Sequence, residues 1–241
     1  MDYYQEITLL PDSTIPLDFL WQKVYQQIHI ALVENKSEAG DSEVAVAFPE
    51  YGSVGFRLGK KLRLLAKTEK TLTQLNISHW LMRLADYVHI KSIQAVPEHA
   101  TPISYVRQHV KGAKRLELDR YKKAQLYSVK SGQPIEVCLS AIKEPQTRSR
   151  LPFIWMESQQ TKSKTEGDGH RPFPLFIRCV AAKEAKAGTF NCYGLSQSMG
   201  KGEEVATVPH FWPFLPLFFC SLKIKHKNNK LQQTVKKKVF W

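Results

Sequence analysis

The stretch that decides the fold of this chain lies near its start, at residues 13–33, STIPLDFLWQKVYQQIHIALV. Ser13 or Thr14 can cap a helix that has Pro16 in its first turn. Apolar side chains then recur at helical spacing on one face, at Leu17, Leu20, Trp21, Val24, Ile28 and Leu32. The sequence therefore predicts an amphipathic helix with one buried face.

Strand patterns surround this helix. Residues 3–10 form a run of strand length that Pro11 and Asp12 end. The other elements predicted in this half are strands at 43–48 and 61–66, a helix at 72–87 and a strand at 89–96. The order β-α-β-β-α-β is that of a ferredoxin-like, or RRM-like, domain, a plan that hosts many functions. We therefore predict an α+β protein with such a domain at residues 1–97.

The second half is predicted to form another α+β domain, at residues 98–211. In its first extended segment, SYVRQHVK, alternation places a set of side chains on one side as a positive ridge beside an aromatic ring: Tyr105, Arg107, His109 and Lys111. The later predicted elements are a helix at 134–142 and strands at 151–157, 174–180, 189–195 and 205–211.

A basic helix is predicted between these elements, after Gly112. Its cations are Lys114, Arg115, Arg120, Lys122 and Lys123. They could contact a phosphate backbone. They could equally form a solvated helix face paired with Glu117 and Asp119, and the pattern leaves both interpretations open.

The net charge favours a polyanionic partner. The chain has 35 Lys and Arg against 22 Asp and Glu, a formal charge of +13. Seven lysines and no acidic residue lie in residues 212–241, so residues 1–211 carry 13 − 7, or +6. The C-terminal segment 212–241 is predicted to be a basic, disordered tail.

Other classes of site are not indicated. The four cysteines are widely spaced and form no C-x-x-C pair, so the sequence predicts neither a metal site nor a disulfide framework, and no cofactor. The N-terminus has no secretory pattern, which makes the cytoplasm the default location. The apolar run at 211–222 is too short to span a bilayer and contains two prolines, so no membrane association is predicted.

His29 is the candidate catalytic residue of the predicted first helix. RNA carries its own nucleophile, the 2′-hydroxyl, so one aligned imidazole can act as the base that cutting requires. At about 100° per residue, His29 lies at the rim of the buried face. A lone helical histidine is more often a partly buried structural residue, and Ser158 and Tyr193 are equally ambiguous on pattern alone.

Four segments, in order, resemble the type I-F CRISPR repeat-processing endoribonucleases. They are MDYYQEITLLPD at 1–12, IHIALV at 28–33, LPFIWMESQQT at 151–161 running to FPLFIR at 173–178, and TFNCYGLS at 189–196 leading to VPHF at 208–211. The resemblance implies a ferredoxin-like domain, followed by a domain whose basic helix grips the stem of a CRISPR repeat hairpin. It also implies metal-independent cleavage at the 3′ base of the hairpin, giving 2′,3′-cyclic phosphate and 5′-hydroxyl ends, and retention of the product crRNA.

The resemblance implies roles for individual residues. His29 would deprotonate the 2′-hydroxyl, Ser158 would hold that hydroxyl and Tyr193 would orient His29. Phe173 would stack on the base pair at the foot of the stem, and Arg107 with His109 would read base pairs there. The remaining expected RNA contacts are Lys111, Lys114, Arg115, Arg120, Lys123, Gln159 and Thr161.

The expected partners are the repeat RNA hairpin and the other subunits of the type I-F interference complex. The alternative from another class is a non-catalytic RNA-hairpin-binding subunit in which His29 is structural.

Overall fold

The computed structural model describes residues 1–143, 149–157, 172–197 and 205–211. By its contacts the chain divides into two units, Met1–His210 and Phe211–Trp241, and the elements below all belong to the first. The chain is α+β, as the sequence predicts, with two antiparallel sheets. None of the helices within the described ranges is long and apolar enough to cross a membrane.

The first sheet and its helices occupy residues 3–95. The elements are β1 (Tyr3–Leu9), α1 (Leu17–Glu34), β2 (Ala45–Ala47), β3 (Lys61–Ala66), α2 (Glu69–Leu75), α3 (Ile77–Trp80), a 3-10 helix (Met82–Tyr87), β4 (Val88–Ile90) and β5 (Gln94–Ala95). The sheet order is β2-β3-β1-β4, with β5 also paired to β1, and every pairing is antiparallel.

Helix α1 buries its apolar face against this sheet. Its fully covered side chains include Trp21, Val24 and Ile28, and the Trp21 indole N–H donates to the Gly59 carbonyl at 2.8 Å. The helix begins later than predicted, because Pro16 is its extended N-cap and supplies no side-chain cap. The Asp12 carboxylate instead accepts the N–H groups of Thr14 and Ile15, so the predicted cap region forms a turn before the helix.

Two predicted elements of this half are interrupted. The predicted helix 72–87 is broken at Asn76, whose φ of 46° is left-handed, a conformation that asparagine tolerates better than most residues. The predicted strand 89–96 is split into β4 and β5, with residues 91–93 between them. Both short strands still pair with β1, so they occupy the place of the single strand that the sequence predicts.

The second sheet follows in the chain. Its elements are β6 (Thr101–Gln108), α4 (Ala113–Ser131), α5 (Ile135–Ala141), β7 (Phe153–Met156), β8 (Phe173–Ala181) and β9 (Val208–His210). The strand order is β7-β8-β6-β9, with Arg107 opposite Ile177 and Met156 opposite Phe173. Two phenol hydrogen bonds join the segment after β2 to the second sheet: the buried Tyr105 donates to the Phe48 carbonyl at 2.7 Å, and the half-buried Tyr51 donates to the Ile177 carbonyl at 2.9 Å.

The predicted positive ridge on β6 is wrong in part. Tyr105 is 1% exposed and belongs to the core, because its ring packs against Phe48 and Tyr51. The strand ends at Gln108, so His109 and Lys111 follow it rather than continuing its alternation. Arg107 remains half-buried near the end of the strand.

Helix α4 is the most exposed long element. Ala124 is the buried residue within Ala113–Ser131, and α4 packs on α5. The Arg120 guanidinium donates to the Leu139 carbonyl at 2.8 Å, which joins the two helices. Large apolar side chains such as Leu126 and Val129 stay exposed, so α4 and α5 form a helical hairpin that the core does not cover.

Candidate active site

His29 lies half-buried on α1 and faces the turn at residues 191–194. Its Nδ1 is 2.8 Å from the carbonyl oxygen of Cys192. Because a carbonyl oxygen can only accept, Nδ1 carries the proton of this hydrogen bond. The neutral ring therefore has an unprotonated Nε2, which is the form a general base requires.

Aromatic and cationic groups continue from this imidazole. The His29 and Tyr193 rings stack with centroids 4.4 Å apart and 12° between their planes. The Arg107 guanidinium carbon lies 5.3 Å from the Tyr193 ring centre and 5.5 Å from that of Phe173. The structure thus brings four sequence-predicted site residues into one series of contacts, in the order His29, Tyr193, Arg107, Phe173.

Tyr193 stands in a turn, and the predicted strand at 189–195 is wrong. The Asn191 side-chain oxygen accepts the N–H groups of Tyr193 at 2.9 Å and Leu195 at 3.2 Å, which folds the backbone back on itself. Gly194 has a φ of +68°, a value that favours glycine. These local hydrogen bonds replace a ladder, so the segment contributes isolated bridges at Phe190 and Ser196 instead of a strand.

The turn packs closely against both α1 and β2. The Tyr25 hydroxyl, fully buried, donates to the Tyr193 carbonyl at 2.8 Å, and the Val46 N–H donates to the Gly194 carbonyl at 2.8 Å. A Cβ added at Gly194 would lie 2.4 Å from Val46 Cγ2. The position of the Tyr193 ring is therefore fixed by contacts on either side of it.

Burial and charge keep the imidazole neutral. Burial lowers the pKa of His29 below its ordinary value of about 6.5, the hydrogen bond to the Cys192 carbonyl opposes this, and the Arg107 guanidinium lowers the pKa further. Burial also raises the pKa of the Tyr193 phenol, which stays protonated at neutral pH. Of these two stacked side chains, His29 is therefore the one that can accept a proton near neutral pH.

The end of β7 also reaches α1. The Gln26 amide bonds the backbone of Glu157, which is the residue before Ser158 in the sequence. Ser158, Gln159 and Thr161 lie outside the described residues. Three of the predicted site residues therefore remain without a structural placement.

The residues around α4 that were predicted to contact RNA differ in their exposure and in their protein partners. Lys111 and Arg115 both pair with Asp119, at 2.6 and 3.4 Å, as the solvated-face interpretation expects. The side chains of Lys114 and Lys123 are exposed, the latter lying 5.8 Å above the Tyr127 ring. His109 is exposed between β6 and α4.

Sequence reasoning missed the residues that hold the predicted site together. Four groups have this role: the Cys192 carbonyl, which bonds His29, and the side chains of Tyr25, Gln26 and Asn191, which bond the backbone of its neighbours. The pattern Asn-x-x-Gly at 191–194 is a turn signal that could have identified the loop. The spacing of Gln26 and His29 places both on one helix face, which could have pointed to Gln26.

Within the described ranges, no group of three or more His, Cys, Asp or Glu side chains is arranged to hold a metal ion.

Comparison with known proteins agrees with the resemblance drawn from the four sequence segments. Residues 4–211 match the family model described as CRISPR-associated protein (Cas_Csy4). The chain is 31% identical over 203 residues to a CRISPR-associated endonuclease Cas6/Csy4 of Pseudomonas aeruginosa (strain UCBPP-PA14), covering 82% of this chain and 96% of that protein. It is 30% identical over 217 residues to a protein of the same name from Escherichia coli (strain UTI89 / UPEC), covering 88% of this chain and 100% of the relative. The chain therefore belongs to the Cas_Csy4 family of CRISPR-associated proteins.

Proposed function

We propose that this protein is a metal-independent endoribonuclease that recognises the CRISPR repeat hairpin in precursor crRNA. It cleaves the RNA at the foot of the hairpin, on the 3′ side. The observation that carries the proposal is the His29 imidazole, held by the Cys192 carbonyl with Nε2 as its acceptor and stacked on Tyr193. The names of the relatives, which describe endonucleases, support the same class of activity.

The proposed reaction uses the 2′-hydroxyl of the RNA as nucleophile. His29 Nε2 accepts the proton of this hydroxyl, and its oxygen attacks the adjacent phosphorus. The bond to the 5′-oxygen of the next nucleotide breaks, and that oxygen takes a proton from solvent. The products are a 2′,3′-cyclic phosphate and a 5′-hydroxyl end. A positioned general base supplies about 10²- to 10⁴-fold, and alignment of the oxygen with phosphorus supplies much of the remainder.

Tyr193 and Ser158 complete the proposed catalytic group. Tyr193 would act through its ring, which packs on the imidazole at 4.4 Å and limits its rotation. Ser158 would hold the attacking hydroxyl. In support of this role, Glu157, the residue before it in the sequence, is hydrogen-bonded to α1 one turn before His29.

The proposed hairpin site extends from this group toward α4. Phe173 would stack on the base pair at the foot of the stem, and Arg107 with His109 would read base pairs there. The cations of α4 and its approach, from Lys111 to Lys123, would contact the phosphates of the stem. Lys111, Arg115 and Arg120 have protein partners here, so we expect Lys114 and Lys123 to contribute most.

We propose that these roles are divided between two domains. We propose that residues 1–97 form the ferredoxin-like domain carrying His29, on the basis of the strand order β2-β3-β1-β4 and the helices that follow β1 and β3. Residues 98–211 would bind the hairpin. The protein would act in the cytoplasm, remain on the mature crRNA and join the other subunits of the type I-F interference complex.

The test is cleavage of repeat hairpins with excess protein in EDTA. Wild type is expected to cut, and His29→Ala to cut about 10²- to 10⁴-fold more slowly while hairpin affinity stays within about threefold. His79→Ala, which removes an exposed histidine of α3, is the matched control and should cut normally.

A 2′-deoxy substitution at the cleavage-site nucleotide should block the reaction. Cutting of that substrate, or a requirement for added metal, would overturn the proposed chemistry. Full-length hairpin recovered after long incubation with wild-type protein would favour the non-catalytic RNA-binding subunit.

A further inference from the structure

The side-chain amide of Gln26 makes two hydrogen bonds with the backbone of a single residue, Glu157. Its side chain is 7% exposed and lies on α1, three residues before His29. The amide oxygen accepts the N–H of Glu157 at 3.0 Å, and the amide nitrogen donates to the carbonyl of the same residue at 3.3 Å. The side chain therefore contacts the backbone of Glu157 in the way that a neighbouring strand would.

This contact lies where the second sheet ends. The pairing of β7 with β8 is described as far as Met156 opposite Phe173, and Glu157 follows that pair. The backbone polar groups of a part-buried residue need partners. Gln26 supplies both of them from the helix that carries His29.

The geometry couples this contact to the proposed catalytic group. On an α-helix, residues three apart share a face and are separated by about 4.5 Å along the axis. Ser158 follows Glu157 directly in the sequence. The two hydrogen bonds from Gln26 fix Glu157, the last described residue before Ser158, against the helix that carries His29.

We infer that Gln26 is a positioning residue, which holds the end of β7 against α1 so that Ser158 and His29 act on the same 2′-hydroxyl. This inference rests on the proposed function. Gln26 acts through Glu157 and needs no contact with the RNA. The role requires an amide, because a single group must both donate and accept.

The first test replaces Gln26 with methionine, which has similar volume but cannot donate or accept in the same way. Single-turnover cleavage by the full chain is expected to fall about 10- to 100-fold, since small displacements of aligned groups have effects of that size. Hairpin affinity and the pH dependence of cleavage should not change, because the contacts of His29 are retained.

Gln22→Met is the matched control. Gln22 lies on the same helix face one turn earlier and reaches the Glu157 carboxylate at 3.4 Å, but not its backbone. Its replacement is expected to change the rate by less than about twofold, because no backbone partner is lost. A loss equal to that of Gln26→Met would indicate a general effect of this helix face and overturn the inference.

A double-mutant cycle separates positioning of Ser158 from other effects. Gln26→Met should slow cleavage in the wild-type background and have almost no further effect in Ser158→Ala. An equal loss in both backgrounds, or a shifted pH profile, would overturn the inference. If Ser158→Ala and His29→Ala themselves cut normally, the proposed function fails instead.

A measurement without RNA protects the test from loss of folding. Amide hydrogen exchange at Glu157 should become faster in Gln26→Met and stay unchanged in Gln22→Met. If Gln26→Met does not fold, Gln26→Asn retains the amide on a shorter side chain and should show the same faster exchange and slower cleavage. Unchanged exchange at Glu157 would contradict the inference.

Discussion

The turn at residues 191–194 and helix α4 both lie within residues 98–211, but they are held in opposite ways. The turn is fixed by hydrogen bonds from Asn191, Tyr25 and Val46, and a glycine without room for a Cβ packs on β2. Helix α4 buries Ala124 and leaves most of its cations and several apolar side chains exposed.

This difference matches the two tasks that we propose. Proton transfer requires an imidazole and its neighbours to be held within a fraction of an ångström, so the residues around His29 are buried and multiply bonded. Phosphate contacts act through longer-range charge and tolerate variation in position, so exposed lysines suffice. The same substitution should therefore have different consequences in the two regions.

The largest difference is expected at two glycines with nearly the same φ angle. Gly194 in the turn has φ +68° and Gly132 at the end of α4 has φ +69°. Alanine at either position meets left-handed strain of about 1–2 kcal/mol. At Gly194 alone the new methyl would also lie 2.4 Å from Val46, which adds about 1–3 kcal/mol of overpacking.

Urea unfolding of both alanine variants measures this comparison. Gly194→Ala should lower the free energy of unfolding by more than Gly132→Ala and should also slow cleavage, because Tyr193 is displaced. Cleavage by Gly132→Ala should be normal. Equal losses of stability would show that the turn is not held more tightly than the helical hairpin.

A second difference concerns the pH dependence of cleavage. Arg107 lowers the pKa of His29, so Arg107→Gln should raise that pKa. A base with a higher pKa becomes protonated at higher pH, so the acidic limb of the rate profile should move to higher pH. Single-turnover rates at saturating protein measure this shift.

Lys114→Gln removes the same charge from α4 and should leave the profile in place. A shift of equal size in Lys114→Gln would mean that His29 responds to net charge rather than to the neighbouring guanidinium. A profile that does not move in Arg107→Gln would show that this guanidinium does not lower the pKa of the catalytic base.

Substitutions of the α4 lysines should affect binding and leave the chemical step intact. Lys114→Ala and Lys123→Ala are each expected to weaken hairpin binding, and to reduce the slope of log affinity against log salt by about 0.7–0.9 if one phosphate contact is lost. Cleavage at saturating protein should stay within about twofold of wild type. A slower chemical step in either variant would show that α4 also helps to align the RNA.

The smallest effect is expected from removing residues 212–241. The family match ends at residue 211, and the basic segment beyond it contributes seven lysines. Truncation after Phe211 should leave specific cleavage within about twofold and weaken sequence-independent RNA binding, which depends on charge. Loss of cleavage on truncation would show that the reaction requires residues 212–241.

Local sequence patterns were sufficient for most of the secondary structure. The buried stripe of α1 and the bounds of β3 were predicted correctly, because helical and strand periods are visible in a single sequence. The alternation expected in β3 is absent from its burial, since Arg63 and Leu65 are covered as fully as Leu62 and Leu64. The patterns failed at Asn76 and at 189–195. In both places a side chain or backbone conformation that favours turns outweighed the apolar pattern.

The candidate site was predictable only in part. His29, Tyr193, Arg107 and Phe173 were named from the resemblance, and the structure brings them into contact. The carbonyl of Cys192 was not predictable, because every residue has a carbonyl and its direction depends on the turn. Tyr105 was assigned to an exposed ridge, since alternation alone does not show which face of a strand another sheet will cover.

The sequence by itself determined that the chain is α+β and basic, that its first long helix has one buried face, and that His29 lies at the edge of that face. These properties depend on residue type and on the period of the backbone. Tertiary structure alone decided that the Cys192 carbonyl fixes the tautomer of His29, that Gln26 holds the end of β7, and that Tyr193 stands in a turn. Each of these depends on the relative position of segments more than 120 residues apart or on a local backbone reversal, and neither is encoded in a periodic pattern.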